Sequence, residues 1–401
     1  MTGASANMQD LATPLVALTG ADYVRVLHDA VAVAPATSEE LAAVLLFAHK
    51  NHLTVVPSGG GTKQGWGHRV TPAIVLETHR LNKVREHTWQ DMTCTVEAGC
   101  TWASMQAALA QHGQHVGLDP LWPDRATVGG IVATNDSGAL RLRYGGLRDL
   151  IIGMTIVLAD GTVAKTGGKV VKNVAGYDLH KLMIGAFGTL GVVTSVNFRL
   201  HSIPQCTQNF TVSAASAEPL GKLLLALLHG QLCTLAIQLR GSGAGFALDI
   251  RLASLAEVLR TQAPLLAELA QREGLTALPA EEEVWLAREQ LFARDFACKG
   301  TMLPSRIARF AERVRAVGGE SVTQASGIMT AGFAASAGER LSQLRAELEA
   351  ARGSLMVLKQ PAETNLDCWG TPPDSLPLMR EVKRRFDPEG VLNPGRFLGG
   401  I

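Results

Sequence analysis

The sequence predicts an α+β fold in two parts: a two-lobed binding domain and an α+β cap inserted into it. Three observations carry this. Short strands and helices alternate through the first half of the chain. Two glycine-rich loops hang from strands there, Pro57-Ser58-Gly59-Gly60-Gly61-Thr62 and Thr127-Val128-Gly129-Gly130-Ile131-Val132-Ala133-Thr134-Asn135-Asp136-Ser137-Gly138. Residues 205–358 then become rich in Ala, Leu, Glu and Arg and mix helices with strands, as when helices cover one face of an antiparallel sheet. Glycine reaches φ > 0 without a Cβ clash, so successive N–H groups can converge on one anion. Two such loops on one domain suggest a dinucleotide clamped between two lobes.

In chain order, residues 1–20 are Ala- and Thr-rich and read as a loosely ordered tail. Ser38-Glu39-Glu40 opens a helix, with an N-cap and early acids, that runs to Lys50. Leu53 to Val56 is a short apolar strand that delivers the first loop, and Ala73–Glu77 and Thr93–Ala98 are further strands. Thr101 to His112 is an amphipathic helix stopped by Gly113. Ile151–Leu158 and Thr162–Lys165 flank Asp160-Gly161, a favoured turn pair, and form a hairpin. Gly191 to Leu200 is a long strand. Within the cap, helices are expected over 216–229, 254–273, 282–297, 305–317 and 336–351, and strands over 232–239, 245–251, 321–330 and 354–358. The predicted units are 1–20, 21–204, 205–358 and a returning segment 359–401.

Composition narrows the function. A chain of 401 residues can bury two cores. The net charge of +1 argues against nucleic acid held on a broad basic surface. No apolar run approaches the roughly 20 residues of a membrane span. No signal peptide is visible, so the expected location is cytoplasmic, with membrane association only through a partner. The six cysteines show no C-x-x-C pair, so the chain is expected to carry no iron–sulfur or zinc site of its own. They read as reduced, buried thiols. The first loop is not a P-loop, because no Lys-Ser/Thr pair follows its glycines, and no G-x-G-x-x-G joins a strand to a helix. Gly241-Ser242-Gly243-Ala244-Gly245 reads as a hairpin turn. Lys165, Lys169 and Lys172 read as a solvated loop. His112 and His115, separated by Gly113, are not expected to share a metal.

Further landmarks follow in order: Arg143-Tyr144-Gly145-Gly146-Leu147-Arg148-Asp149, Gly176-Tyr177-Asp178-Leu179, Gly185 to Thr194, and Phe386 to Arg396. With the two loops, this set resembles the FAD-binding domain of the vanillyl-alcohol oxidase / p-cresol methylhydroxylase superfamily. Within that superfamily the chain is similar to the FAD-binding E subunits of bacterial glycolate oxidases. The resemblance implies a cofactor, FAD, held by Pro57, Ser58, Gly59, Gly60, Gly61, Thr62, Pro120, Thr127, Val128, Gly129, Gly130, Thr134, Asn135, Ser137, Gly138, Gly188, Gly191, Val193, Asn393 and Arg396. The Ser58–Thr62 N–H groups are expected on the phosphates. Thr127–Gly138 is expected against the pyrophosphate and isoalloxazine, and Gly188–Val193 at the adenine or ribose end. Gly61 stands where covalent members often carry a His, which implies non-covalent FAD. Arg396 has two readings: a cation beside the flavin, or a lock on the C-terminal segment.

Hydroxyacid dehydrogenases of this superfamily use a His-rich metal motif in the cap. Residues 205–358 hold a single His, His229. That departure fits the E subunit and implies a complex with a catalytic, flavin-bearing D subunit and an iron–sulfur F subunit. The expected role is electron relay or assembly during oxidation of glycolate to glyoxylate. A stand-alone FAD-dependent hydroxyacid or alcohol dehydrogenase, and a structural subunit with little flavin turnover, are the alternatives.

Overall fold

The computed structural model describes residues 8–168, 177–364 and 366–401. Apolar β-branched runs build the first lobe. Val24–Val26, Val31–Val33, Ile74–Glu77 and Val55–Ser58 form a four-stranded sheet in that order. The first pair is antiparallel and the other pairings are parallel. Parallel neighbours need a crossover, and the helix Ser38–Lys50 supplies one, burying Leu41, Val44 and Leu45. Its N-cap is Thr37 rather than Ser38: the Glu40 N–H donates to Thr37 Oγ1 at 3.1 Å.

The expectation of a loose tail over 1–20 does not hold for its second half. Met8–Thr19 is a helix, and Leu11 and Leu15 enter the same core as Leu41 and Ile74. Their spacing of four residues puts both on one helix face, a signal that the Ala/Thr-rich composition hid. Burying each Leu contributes about 2 kcal/mol.

The second lobe is a five-stranded antiparallel sheet, ordered Val84–Thr88, Thr93–Glu97, Val192–Arg199, Ile151–Val157 and Val163–Gly167. The helix Trp102–Ala110 and the short helix Val128–Thr134 put Trp102, Met105, Ile131 and Val132 into its core. Thr127 caps the short helix, accepting from the Gly130 N–H at 3.4 Å. The C-terminal segment bridges the lobes. The helix Leu376–Phe386 packs Val382 and Phe386 against the second core, while Leu392 pairs with Val55 on the first sheet.

The cap is one eight-stranded antiparallel sheet. Helices Ala217–His229, Ala256–Arg272, Ile307–Ala316 and Gly338–Ala350 bury Leu220, Leu259, Phe310 and Leu344 in the core they share with it. The Ser242–Gly245 turn joins two of its strands, with Gly245 at φ 129°.

The cap departs from expectation in three places. The helix expected over 282–297 is only short helical turns up to Ala293, followed by the strand Phe296–Thr301. The strand expected over 321–330 is two, Glu320–Gln324 and Ile328–Phe333, folded back at Gly327 (φ 84°). Cys206–Ala214 and Ala277–Pro279 are additional strands. Lys169 and Lys172, and Gly176 of the Gly176–Leu179 landmark, lie outside the described residues. Lys165 is exposed, as a solvated lysine would be.

Candidate functional site

A partly open cavity lies where the two lobes meet; the space it bounds, about 790 Å³, includes open solvent. Pro57, Ser58, Gly59, Gly60, Gly61 and Thr62 line it from the first lobe, and Thr127, Gly129, Gly130 and Thr134 from the second. Gly188, Gly191, Val193, Asn393 and Arg396 complete the set that sequence reasoning placed there. Pro120, Val128, Asn135, Ser137 and Gly138 do not reach the wall. Val128 is fully buried in the second core, and the carbonyls of Asn135 and Ser137 accept from cap side chains. The structure adds residues that the motifs missed. Lys63 and Gln64 directly follow the first loop, and Met183, Ala186 and Phe187 come from the segment around Gly185.

The two glycine loops hold each other. A Cβ on Gly60 would stand 1.7 Å from the Arg125 carbonyl oxygen, and one on Gly59 would stand 2.1 Å from Thr127 Oγ1. These glycines permit close protein-on-protein contact, and both still line the cavity with their N–H groups unengaged among the described residues. Gly61 differs: it has φ 68°, and a Cβ there would meet nothing within 4 Å.

The N–H groups divide sharply. From Gly59 to Lys63, no backbone N–H meets an acceptor among the described residues. At the second loop, Val128 N–H donates to Cys100 O at 2.9 Å and Gly129 N–H to Ala98 O at 2.7 Å. Gly130 N–H goes to Thr127 Oγ1 and Ile131 N–H to Thr127 O. Thr134 Oγ1 donates to Gly130 O at 2.8 Å. The N–H groups of residues 128–131 and the Thr134 hydroxyl are therefore already engaged. Elsewhere on the wall, the Gly188 and Gly191 N–H groups are unengaged among the described residues.

The wall carries two cations, Lys63 and Arg396, and no carboxylate. Arg396 clamps the first loop from below. Its Nε donates to Trp66 O at 3.2 Å, Nη1 to Gln64 Oε1 at 3.0 Å, and Nη2 to Lys63 O at 3.2 Å and Gln64 O at 3.0 Å. Among the described residues no acid pairs with it, so the lock is built on carbonyls. Burial pulls its pKa down to about 10, so the guanidinium stays charged at neutral pH. Burial also lowers the pKa of Lys63, against the opposing pull of Asp136. A buried cation without a counter-charge favours an anion nearby. Five unpaired donors, two wall cations and a glycine opening onto free space fit a pyrophosphate.

At one end the cavity meets aromatic rings. Trp66 stacks on Phe292 of the cap with centroids 6.1 Å apart, and Trp122 stands edge-on to Phe292 at 4.7 Å. Phe187, on the wall, contacts Trp369 at 5.0 Å. Met356 and Leu358 of the cap join the same cluster.

Nucleophiles near the loops are occupied or buried. His68 Nε2 is 3.0 Å from Asp367 Oδ1, and its Nδ1 is 3.2 Å from Gly395 O. Cys94 is buried in the second core, where desolvation pushes its thiol up to about 12. His115 is half-buried, which lowers its pKa to about 4, and its ring packs on Tyr144.

Comparison with known proteins bears on the fold and the cofactor of this cavity. Residues 30–167 match the family described as FAD binding domain, and residues 370–397 match FAD linked oxidases, C-terminal domain. A structure of p-cresol methylhydroxylase with substrate bound superposes with a TM-score of 0.74 at 17% identity, covering 97% of this chain and 96% of that one. The chain has the fold of p-cresol methylhydroxylase, and its residues 30–167 match an FAD-binding domain. Its cofactor is FAD.

Sequence similarity covers part of the chain in some relatives and most of it in another. A mitochondrial D-lactate dehydrogenase [cytochrome] of Arabidopsis thaliana is 37% identical over 44% of this chain and 31% of its own length. Glycolate oxidase subunit GlcD of Bacillus subtilis is 36% identical over 45% of this chain and 38% of its own length. The chain thus spans well under half of these relatives. An uncharacterized FAD-linked oxidoreductase of Mycobacterium tuberculosis is 29% identical over 92% of this chain and 91% of its own length.

Proposed function

We propose that this chain is an FAD-linked oxidoreductase subunit of the E type in a glycolate oxidase assembly. In this reading it relays electrons, or supports assembly, and does not oxidise glycolate by itself. The observation that carries the flavin half is the run of free N–H groups from Gly59 to Lys63 facing a wall with two cations and no acid. Those groups would hold the pyrophosphate, with the Ser58 and Thr62 hydroxyls beside them. Bound FAD would supply a two-electron acceptor. The chain's own residues bind it, keep acids away from it and close one end of the cavity with rings.

Non-covalent attachment is supported by the occupied state of the nearby nucleophiles. His68 is held by two acceptors, Cys94 is buried in another core, and Gly61 offers no side chain. The relay half is supported by what the cap presents. Its contribution at the cavity's end is Phe292, Met356 and Leu358, and its single His, His229, is exposed. Arg288, Lys299 and Gln324 of the cap donate to backbone carbonyls of the FAD-binding domain. Proton removal from a hydroxyacid needs a base within hydrogen-bond reach, and neither the aromatic cluster nor these cationic and amide donors supply one. The assembly would include a flavin-bearing D subunit and an iron–sulfur F subunit.

Two experiments test this. Acid precipitation of the pure protein is expected to release yellow FAD into the supernatant; colour retained in the pellet overturns non-covalent binding. Anaerobic stopped-flow with glycolate is expected to leave the isolated chain's flavin oxidised and to bleach it in the reconstituted complex. Rapid bleaching of the isolated chain would establish an autonomous dehydrogenase. No bleaching within an active complex would establish a structural role.

A further inference from the structure

Asp136 occupies a position that neither the cofactor reading nor the fold explains. It lies outside the cavity wall, is 3% exposed, and is reached from three directions. Its Oδ2 accepts from the Leu121 N–H at 2.8 Å and stands 3.4 Å from Lys63 Nζ, the wall lysine that ends the free-donor loop. Its Oδ1 stands 3.4 Å from Nη1 of Arg288, a cap residue. Arg288 is itself buried and donates to Ser137 O and to Asp119 O. Two other cap side chains converge on the same stretch: Lys299 Nζ reaches Asn135 O at 3.2 Å, and Gln324 Nε2 reaches Ser137 O at 3.0 Å. Burial alone would raise the Asp136 carboxyl, but Arg288, Lys63 and Lys299 hold it below the ordinary carboxylate range, so it is charged. Between the first glycine loop and the cap, one buried carboxylate thus faces a cation from each side.

We propose that Asp136 is a positioning residue that ties Lys63 on the cofactor loop to Arg288 on the cap, so that loop 59–63 and the cap segment 282–293 order together when FAD binds. The physical reason is the cost of a buried charge left without its partner. If the loop withdraws Lys63, Asp136 keeps only the cap cations Arg288 and Lys299. If the cap withdraws Arg288 and Lys299 together, Lys63 is left to compensate the carboxylate. Either movement is resisted by the opposite side, which is what couples them. This rests on FAD occupying the cavity described above.

The test uses the full chain at saturating FAD. Hydrogen exchange of residues 282–293 is expected to slow when FAD binds the wild type and to stay unchanged when FAD binds Asp136→Asn, a variant of the same shape. A purely structural Asp136 would lower stability but leave the FAD-dependent protection in place. Equal protection in both proteins overturns the coupling alone; failure of the wild type to bind FAD overturns the cofactor reading and the coupling with it. An independent readout is the FAD dissociation constant. Arg288→Met, which touches no wall residue, is expected to weaken FAD about tenfold in the wild type and less than about twofold in Asp136→Asn, because residues of one network are non-additive. Equal factors in the two backgrounds overturn the proposal.

Discussion

The two glycine segments look alike in sequence and differ in chemistry. Loop 57–62 leads into a run of free N–H groups, while the N–H groups of residues 128–131 are spent on Cys100, Ala98 and Thr127. Both are glycine-rich because each packs against protein: Gly60 on the Arg125 carbonyl, Gly129 on Ala98. Glycine therefore marks a close approach in both segments, and only the hydrogen-bond accounting separates an anion cradle from a helix start. In the proposed reading the first segment binds and the second supports.

The largest expected effect follows from that difference. Gly60→Val drives a side chain into a backbone carbonyl that cannot yield. It should displace the loop and weaken FAD by about 3 kcal/mol or more, roughly 100-fold, in a folded protein. Gly129→Val meets Ala98 Cβ at 3.0 Å and is expected to lower the melting temperature with a smaller effect on FAD. Fluorescence titration with FAD beside a thermal melt distinguishes them, and the reverse pattern would break the comparison. Next is Arg396→Met. It removes the carbonyl clamp under the first loop and a wall cation together, and should weaken FAD about 10-fold at the strength of a hydrogen bond to a charged group. A change in stability with FAD affinity intact would reduce Arg396 to the lock on the C-terminal segment.

A pH effect tests the supporting lobe apart from the cavity. His115 lies off the wall with a folded pKa of about 4, below its unfolded value of 6.5. Its contribution is complete above pH 6.5 and is lost as pH falls toward 4. The melting temperature should drop across that window, and His115→Gln should flatten the slope, equally with and without FAD. The smallest effect is expected at Thr134→Val. Its hydroxyl is spent on Gly130 O, so the variant should cost about 1 kcal/mol of stability and change FAD affinity less than about twofold.

Much of this was legible in the sequence, for physical reasons that also mark where it stopped. The first loop follows a strand and carries three glycines, and local chemistry suffices to place it on the cavity. The engagement of the second loop depends on carbonyls at Ala98 and Cys100, about thirty residues earlier, and no local pattern encodes that. Arg396 reaches Lys63 and Trp66 across more than 300 residues of chain, so its clamp was one reading among two. In the cap, the run Ala287-Arg288-Glu289-Gln290 favours helix, and it hid the strand Phe296–Thr301. There Phe296, Cys298 and Gly300 alternate with Ala297, Lys299 and Thr301 at the strand period of two. Asp136 sits inside the second glycine segment, but no local pattern assigns it a role there; its burial between two cations is what exposes it.

The most direct measurement is the structure of this chain with FAD bound. The account predicts pyrophosphate oxygens within roughly 2.7–3.2 Å of the backbone nitrogens of Gly59 to Lys63, with the N–H groups of 128–131 still donating to Ala98, Cys100 and Thr127. Phosphate seated on 128–131, with loop 59–63 left without a ligand, would contradict it.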